Sequence, residues 1–579
     1  MTATSPRSRL PRIGERFGSP PGRLKPRGAR ADAAGAPRGS RPGGPLTAVA
    51  ASLASGALYA LLFPPFGWVA LSWVALVPLI LALRGRGPLA AAGLAALQMS
   101  LATGLVVAWL VPTLEGHFER SPARAILFLL FLSACAAAPF HALAFAARAR
   151  ARRAPAWLAP VLFAAAWVAS EWLRGQLGLR SPWGKLGDAH FASPRLRQVA
   201  DLGGVYAVSA LVALGNFAAA EALHALGQRL SGRALDLARP AVALLLAAVL
   251  LAAALLYGDS RRGAWGGSAE ELELAVVQGD VDVELRWRRA SASHVVRRYL
   301  SLTREELARP AGRPLDLVLW PENAIQTSLD DPVYGGAVRG LARAGVPLLI
   351  GAPRRERREG HLLHFNSAQL LRPDGSLEHY DKRRLLPFSE THPLGGLRLA
   401  PRGDLDQGEY AAGEAPGLFE VAGTRVGVLI CLEALYPELA REAAVGGARL
   451  LVNLSNDGWY RGRGGAEQHL AQVVFRAIET RLPVARATTT GISALVAPDG
   501  GIAARLDAGE RGVLRAAVRL GAGGASPYLR WGDAFAGACL AVLAAGALAP
   551  FLPGRRALRR RARAPGAAGG LPAPSGTPG

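Results

Sequence analysis

Sulfur is scarce in this chain. Its 579 residues include three cysteines and two methionines. An odd, sparse set of cysteines excludes a disulfide framework and a cysteine-based zinc site. Cys135 and Cys539 lie in the apolar runs S-A-C-A-A and G-A-C-L-A and read as small packing residues. Charge is also thin, at 19% of residues against 51% hydrophobic, with a mean hydropathy of +0.21. That balance is foreign to an ordinary soluble protein and points to long apolar stretches. The deficient sign is negative, with 43 acidic against 67 basic residues and a net charge of +24. A nucleic-acid partner would need those charges interleaved with aromatics on a soluble face. Many of the arginines flank apolar segments instead, so no nucleic-acid partner is expected. Neither a repeat nor a cleaved signal peptide is evident.

What is present is a series of apolar runs, each about the length of a bilayer crossing, roughly 17–25 residues. They fall at 46–63, 66–83, 89–114, 125–147, 156–173, 199–226, 241–257 and 534–551. The run at 199–226 carries Asp201 and Glu221, an expensive pair inside a membrane. Arginine-rich loops and tails alternate with the runs, and they share one side if about eight spans start from a cytoplasmic N-terminus. The loop at 174–198 is a basic exception on the opposite side. The expected organisation is a disordered basic tail (1–44), seven transmembrane helices (45–260), an extracytoplasmic α/β domain (268–520), an eighth transmembrane helix (531–553) and a disordered basic tail (554–579).

The segment 268–520 has a different texture. Short apolar runs alternate with charged turns punctuated by Gly and Pro. Strands are expected at 272–278, 315–320, 347–351, 367–371, 427–431 and 449–454, with helices at 291–307, 437–445 and 467–480. Interleaved buried strands and helices indicate an α/β layered domain.

Three local patterns there end an apolar run at a reactive group, the place where layered α/β folds put chemistry. L-V-L-W-P-E-N ends at Glu322, a general base or a plain turn acid. H-Y-D-K-R-R-L-L-P-F-S-E contains Lys382, which suits an oxyanion or a thiolate neighbour, and Glu390, which could close over a site. Each reads equally as part of a solvated loop. V-G-V-L-I-C-L-E-A-L-Y-P stops a β-branched strand at Cys431, where the N–H of Leu432 is available for an oxyanion hole. A thiol there is either an inert strand cysteine or a nucleophile. As a nucleophile it needs a base or a cation beside it, and Glu322 and Lys382 are on offer.

The order Glu322, Lys382, Cys431, with W-P-E, Y-D-K…P-F-S-E and I-C-L-E around it, resembles the nitrilase (carbon–nitrogen hydrolase) superfamily. The resemblance continues through N-L-S-N-D-G-W-Y (453–460), A-E-Q-H…R-A-I-E (466–479) and A-T-T-T-G-I-S-A (487–494). It implies a four-layer α-β-β-α sandwich with the three residues as base, oxyanion-stabilising lysine and nucleophile. The spans, together with E-W-L-R (171–174), S-P-W (181–183), V-A-D-L-G-G-V-Y (199–206), Q-G-D with Trp287 following, and S-P-Y-L-R-W-G-D (526–533), resemble one membrane branch, the apolipoprotein N-acyltransferases of bacterial envelopes. Leu432, where a tyrosine is common, Ser389 in place of a glycine, and Arg383-Arg384 depart from the pattern.

That resemblance implies a multi-pass protein of the bacterial inner membrane with its α/β domain on the periplasmic side. It implies ping-pong transfer of a fatty acyl chain from a phospholipid, through a Cys431 thioester, to the amine of a diacylglyceryl-apolipoprotein. No metal or organic cofactor is called for, and a monomer is expected. Trp287, Glu390, Glu433 and Leu432 are further site candidates: Trp287 against acyl chains or at the entrance, Glu433 in electrostatic support of Lys382, Leu432 in the acyl pocket. His469 reads as structural. The competing readings are a membrane-tethered amidase, which would pass the thioester to water, and a transporter or scaffold without catalysis.

Overall fold

The computed structural model describes residues 44–117, 120–151, 154–235, 237–263, 267–281, 289–310, 313–326, 328–391, 409–460, 464–522 and 526–551. The two basic tails and Trp287 lie outside these residues.

Helices dominate the first half, and prolines set where many of them begin. Pro45–Ala60, Pro88–Val106 and Pro122–Ala136 each open on a proline, whose missing N–H costs nothing in a first turn. By length and composition, five helical stretches among the described residues suffice to cross a membrane: Pro88–Val106, Pro122–Arg150, Val205–Leu230, Ala238–Arg261 and Ala534–Phe551. The other expected runs are helical but shorter, interrupted or more polar. The run at 66–83 divides into the 3-10 turn Val69–Trp73 and the helix Val77–Leu83, which restarts at Pro78. The run at 199–226 begins later than expected. Gly204, at φ 67°, breaks the chain before the Val205–Leu230 helix. Asp201 therefore lies outside that helix, bound by Arg481 at 2.6 Å and Arg261 at 2.9 Å. Glu221, inside it, pairs with Arg84. Val205–Leu230 is the most enclosed of the five stretches, whereas Ala238–Arg261 and Ala534–Phe551 leave most of their apolar surface uncovered.

The second half contains two six-stranded sheets. The first has β1 (Gly267–Gln278), β2 (Leu317–Trp320), β3 (Leu348–Arg358), β4 (His361–Leu371), β5 (Leu377–Asp381) and β12 (Gly512–Gly521), in the order β12-β1-β2-β3-β4-β5. The second has β6 (Leu418–Val421), β7 (Thr424–Ile430), β8 (Leu450–Ser455), β9 (Val484–Thr488), β10 (Ser493–Val496) and β11 (Ile502–Leu506), in the order β11-β10-β9-β8-β7-β6. Three central strands in each sheet are parallel and the outer ones antiparallel.

Alternation along the strands builds the layers. Leu272, Leu274 and Val276 of β1, Leu317 and Leu319 of β2, and Val426, Val428 and Ile430 of β7 share the core between the sheets. Val277, Val318 and Trp320 face outward onto the helices Arg289–Leu307 and Tyr334–Ala342. The helices Pro437–Val445 and Gly465–Thr480 cover the second sheet. The result is the expected α-β-β-α sandwich. The Gly465–Thr480 helix is buried along nearly its whole length because the helical half packs on its other side, through Leu196, Val199, Val205 and Val208.

Candidate active site

The expected trio converges where strands of both sheets end. β2 delivers Glu322 through Pro321, β5 runs directly into Lys382, and β7 ends at Cys431. Two backbone features shape the place. Gly351 of β3 passes so close under the Glu322 turn that a Cβ would sit 2.3 Å from the Pro321 carbonyl oxygen. Cys431 itself has φ 52°, a left-handed conformation that residues other than glycine rarely adopt. Strain of this kind persists only where the surroundings enforce it.

Glu322, Lys382 and Cys431 are all buried. Lys382 Nζ donates to Glu322 Oε1 at 3.2 Å and to Glu390 Oε1 at 2.9 Å. Asn366 Nδ2 donates to the same two oxygens, at 2.7 Å each. The Asn456 N–H donates to Glu322 Oε2 at 2.8 Å, and Leu386 N–H to Glu390 Oε2 at 2.7 Å. Burial works to raise the Glu322 pKa, but Lys382, Asn366, the Cys431 thiol and the Asn456 N–H outweigh it and hold the carboxyl below its ordinary value. Lys382 goes the other way. Burial lowers it, yet Glu322 and Glu390 keep it firmly protonated. Burial pushes the Cys431 thiol up, and the Glu322 charge adds to that, against Lys382. The resting site is therefore a neutral thiol beside an ionised carboxylate and an ammonium. Such a set can move a proton from sulfur to Glu322 as the sulfur attacks.

Glu433 lies two residues beyond the thiol, and its contacts extend past the electrostatic support of Lys382 expected from the sequence. Its carboxylate accepts from the N–H groups of Ile430 (2.8 Å), Arg383 (2.7 Å) and Arg384 (3.1 Å) and from the Tyr380 hydroxyl (2.9 Å). It thereby ties the Cys431 turn to the Lys382 loop. Leu432 is half-buried and touches both the inter-sheet core and the core of the helical half, while Leu435 is a member of the latter. Glu390 is in the site, on Lys382.

The rim of the site meets the helical half directly. Phe388 packs edge-on against Phe128 at 5.6 Å. Thr113 Oγ1 donates to the Trp459 carbonyl at 2.5 Å, and Tyr436 OH to that of Arg180 at 2.6 Å. Trp109, Trp183 and Tyr460 form an aromatic group, with Trp109 and Tyr460 at 4.6 Å. Gln468 Oε1 accepts from both indoles, at 3.2 and 2.7 Å. Sequence reasoning missed Asn366, Asn456 and Gln468 as members of this assembly. Asn456 and Gln468 stood inside stretches already singled out. Asn366 carried no signal beyond being a polar residue in an apolar strand.

A family model described as carbon-nitrogen hydrolase matches residues 273–528, and one described as the apolipoprotein N-acyltransferase N-terminal domain matches residues 55–218. An apolipoprotein N-acyltransferase of Geobacter metallireducens is 33% identical over 498 residues, covering 84% of this chain and 92% of that protein. One from Bordetella bronchiseptica is 33% identical over 477 residues, covering 77% of this chain and 79% of that protein. Among solved structures, a Nesterenkonia amidase of the nitrilase superfamily aligns with a TM-score of 0.34 at 20% identity, covering 45% of this chain and 94% of that chain.

Proposed function

The chain belongs to the apolipoprotein N-acyltransferase family, and on that premise we propose that Cys431 is its acyl-carrying nucleophile, with Glu322 as base and Lys382 as oxyanion partner. The protein is a bacterial membrane acyltransferase acting in lipoprotein N-acylation. Glu322 takes the thiol proton as the sulfur attacks the ester carbonyl of a phospholipid. Lys382 and the Leu432 N–H carry the charge on the tetrahedral oxygen. The ester C–O bond breaks, Glu322 returns the proton to the departing alkoxide, and a lysophospholipid leaves behind a thioester. The amine of a diacylglyceryl-cysteine then attacks that thioester. Glu322 accepts the amine's proton and passes it to the departing sulfur, giving an amide and the free thiol.

Glu390 and Glu433 orient the lysine and the thiol turn, and Leu432 borders the acyl chain. The helical half crosses the inner membrane about eight times, within 45–260 and 531–553, and the 268–520 domain faces the periplasm. The enzyme works as a monomer and needs no nucleic acid.

The observation that supports this reading most is the position of the thiol turn. Cys431 lies in the sandwich core beside an ionised base, while Leu432 and Leu435, directly after it, pack into the membrane-type helices. On this reading a lipid-borne ester approaches the sulfur along that apolar side.

The test is an assay in detergent with labelled phospholipid and a diacylated lipopeptide, using wild type and Cys431→Ser. Wild type should gain one fatty acyl mass on Cys431 before acceptor is added and lose it to the lipopeptide afterwards. A Cys431→Ser protein that still transfers acyl to the peptide at the wild-type rate would sink the assignment. Release of free fatty acid in place of lipopeptide product would favour a hydrolase.

A further inference from the structure

Behind the thiol lies a second buried polar cluster that the reaction scheme leaves unused: Asn453, Asp457, His469 and Arg486, all essentially inaccessible to solvent. Two of its members end on one atom. His469 Nε2 lies 3.2 Å from the carbonyl oxygen of Cys431, and Asn453 Nδ2 donates to the same oxygen at 3.2 Å. A carbonyl oxygen can only accept, so Nε2 carries a hydrogen. Arg486 stands behind both. Its Nη1 donates to Asn453 Oδ1, which turns the amide so that Nδ2 faces Cys431. Its Nη2 and Asp457 Oδ1 both lie 3.1 Å from His469 Nδ1 and fix the ring edge that faces away from Cys431. Tyr460 OH approaches Nδ1 at 3.4 Å from another side. Asp457 holds Arg486 through Oδ2 at 2.5 Å. Its Oδ1, 3.1 Å from Nδ1, accepts from Ser455 Oγ at 2.7 Å.

The geometry points to a clamp: His469 and Asn453, oriented by Arg486, grip the Cys431 carbonyl and thereby aim the Leu432 N–H at the oxyanion formed on the substrate. The reason lies in the peptide plane. The Cys431 C=O and the Leu432 N–H belong to one trans amide, so they point in opposite directions and turn together. Two donors on the oxygen fix the direction of the N–H. They also hold Cys431 in its left-handed conformation, from which an unrestrained residue would relax. His469 and Asn453 are positioning residues here, since neither touches the reacting atoms.

The inference rests on the assignment of Cys431 as nucleophile. The full-length enzyme in detergent tests both at once. His469→Gln places an amide N–H near the position of Nε2, whereas His469→Asn reaches only about as far as Nδ1. Turnover of labelled phospholipid with the diacylated lipopeptide gives kcat and KM, and thioester formation on residue 431 before acceptor is added gives the acylation rate. Alkylation of the same thiol by iodoacetamide provides a reaction that builds no oxyanion. Losing one oxyanion donor costs about 100- to 1000-fold. With Asn453 still in place, His469→Asn should lower the acylation rate by roughly 10- to 100-fold, with KM and the alkylation rate within about threefold of wild type. His469→Gln should recover most of the loss. Acylation by His469→Asn at the wild-type rate, acylation and alkylation falling in parallel, or no recovery in His469→Gln would each overturn the clamp. A wild-type protein that never acquires an acyl group at Cys431 would overturn the nucleophile assignment and the clamp with it.

Discussion

Two glutamates, each buried beside one basic residue, behave in opposite ways. Glu322 sits next to Lys382 in the site, and Glu479 sits next to Arg476 where the sandwich meets the helical half. Burial raises both. Glu322 nevertheless ends below its ordinary pKa, whereas burial lifts Glu479 to about 7 even with Arg476 beside it. The difference lies in the number of donors. Both Glu322 oxygens are served, Oε1 by Asn366 and Lys382, Oε2 by the Asn456 N–H. Glu479 Oε1 receives the Val205 N–H at 3.1 Å, but Oε2 meets Arg476 Nη2 at 2.6 Å without hydrogen-bond alignment, and Asp533 adds a repulsive charge. Neighbouring cations alone do not keep a buried carboxylate ionised. A complete set of donors does.

Neutralising each glutamate breaks the comparison most sharply. Glu322→Gln removes the base and should slow thioester formation by about 100- to 10,000-fold, measured as acyl mass on Cys431 over time. Glu479→Gln should leave that rate within about threefold of wild type, since it lies outside the site. Equal losses in the two variants would contradict the separation of roles.

The second contrast concerns pH and stability. Glu479 has a folded pKa above its unfolded value, so between 4.5 and about 7 the folded state binds more protons than the unfolded one. Stability should fall as pH rises through that window and level off above it. At about 1.4 kcal/mol per pH unit, the span is worth roughly 3 kcal/mol. The apparent melting temperature in detergent should therefore drop from pH 5 to pH 7, and Glu479→Gln should flatten that slope. Glu322, being depressed, adds stability that is present above the unfolded carboxylate pKa and is lost only as pH falls below it.

Removing one donor from Glu322 should move it part of the way toward Glu479. Asn366→Leu takes an amide from Oε1, so the acid limb of the acylation rate should shift to higher pH and kcat should fall by about tenfold, the worth of one charge-assisted hydrogen bond. An unshifted acid limb would show that Asn366 does not set the charge of Glu322.

These contrasts also show what the sequence could reveal. Glu322 and Cys431 were legible because each ends a buried apolar strand, and Lys382 because it follows Tyr380-Asp381 in a recognisable pattern. The layered fold was legible for the same reason: β1, β2, β7 and β8 are long or strongly apolar. β5, β6, β9, β11 and β12 escaped notice because Glu378, His379, Glu420, Arg486, Arg505 and Arg515 interrupt their apolar pattern, and β10 because it is only four residues long. Arg486 is fully buried on Asp457, a pairing between residues 29 apart that periodicity cannot express. His469 read as structural because Glu322, Lys382 and Cys431 already complete the chemistry; its contact with the Cys431 carbonyl stayed hidden, since a sequence carries no mark of where a carbonyl points. The division of the run at 66–83 escaped for a related reason. Hydropathy measures the apolar length of V-A-L-S-W-V-A-L-V-P but not the restart of the helix at Pro78.

The smallest expected effect isolates the repulsion at the interface. Asp533 accepts from the Tyr528 hydroxyl at 2.5 Å through one oxygen and from the Trp172 indole at 3.0 Å through the other. Asp533→Asn keeps one acceptor and removes the charge that disfavours ionised Glu479. One lost hydrogen bond should cost about 1 kcal/mol, partly offset at neutral pH by easier ionisation of Glu479. The discriminating quantity is therefore where the decline in melting temperature ends, not its size. That end should move to lower pH than in wild type, because Glu479 now releases its proton sooner. If the end of the decline stays near pH 7, burial alone sets the Glu479 pKa and the Asp533 charge is screened from it.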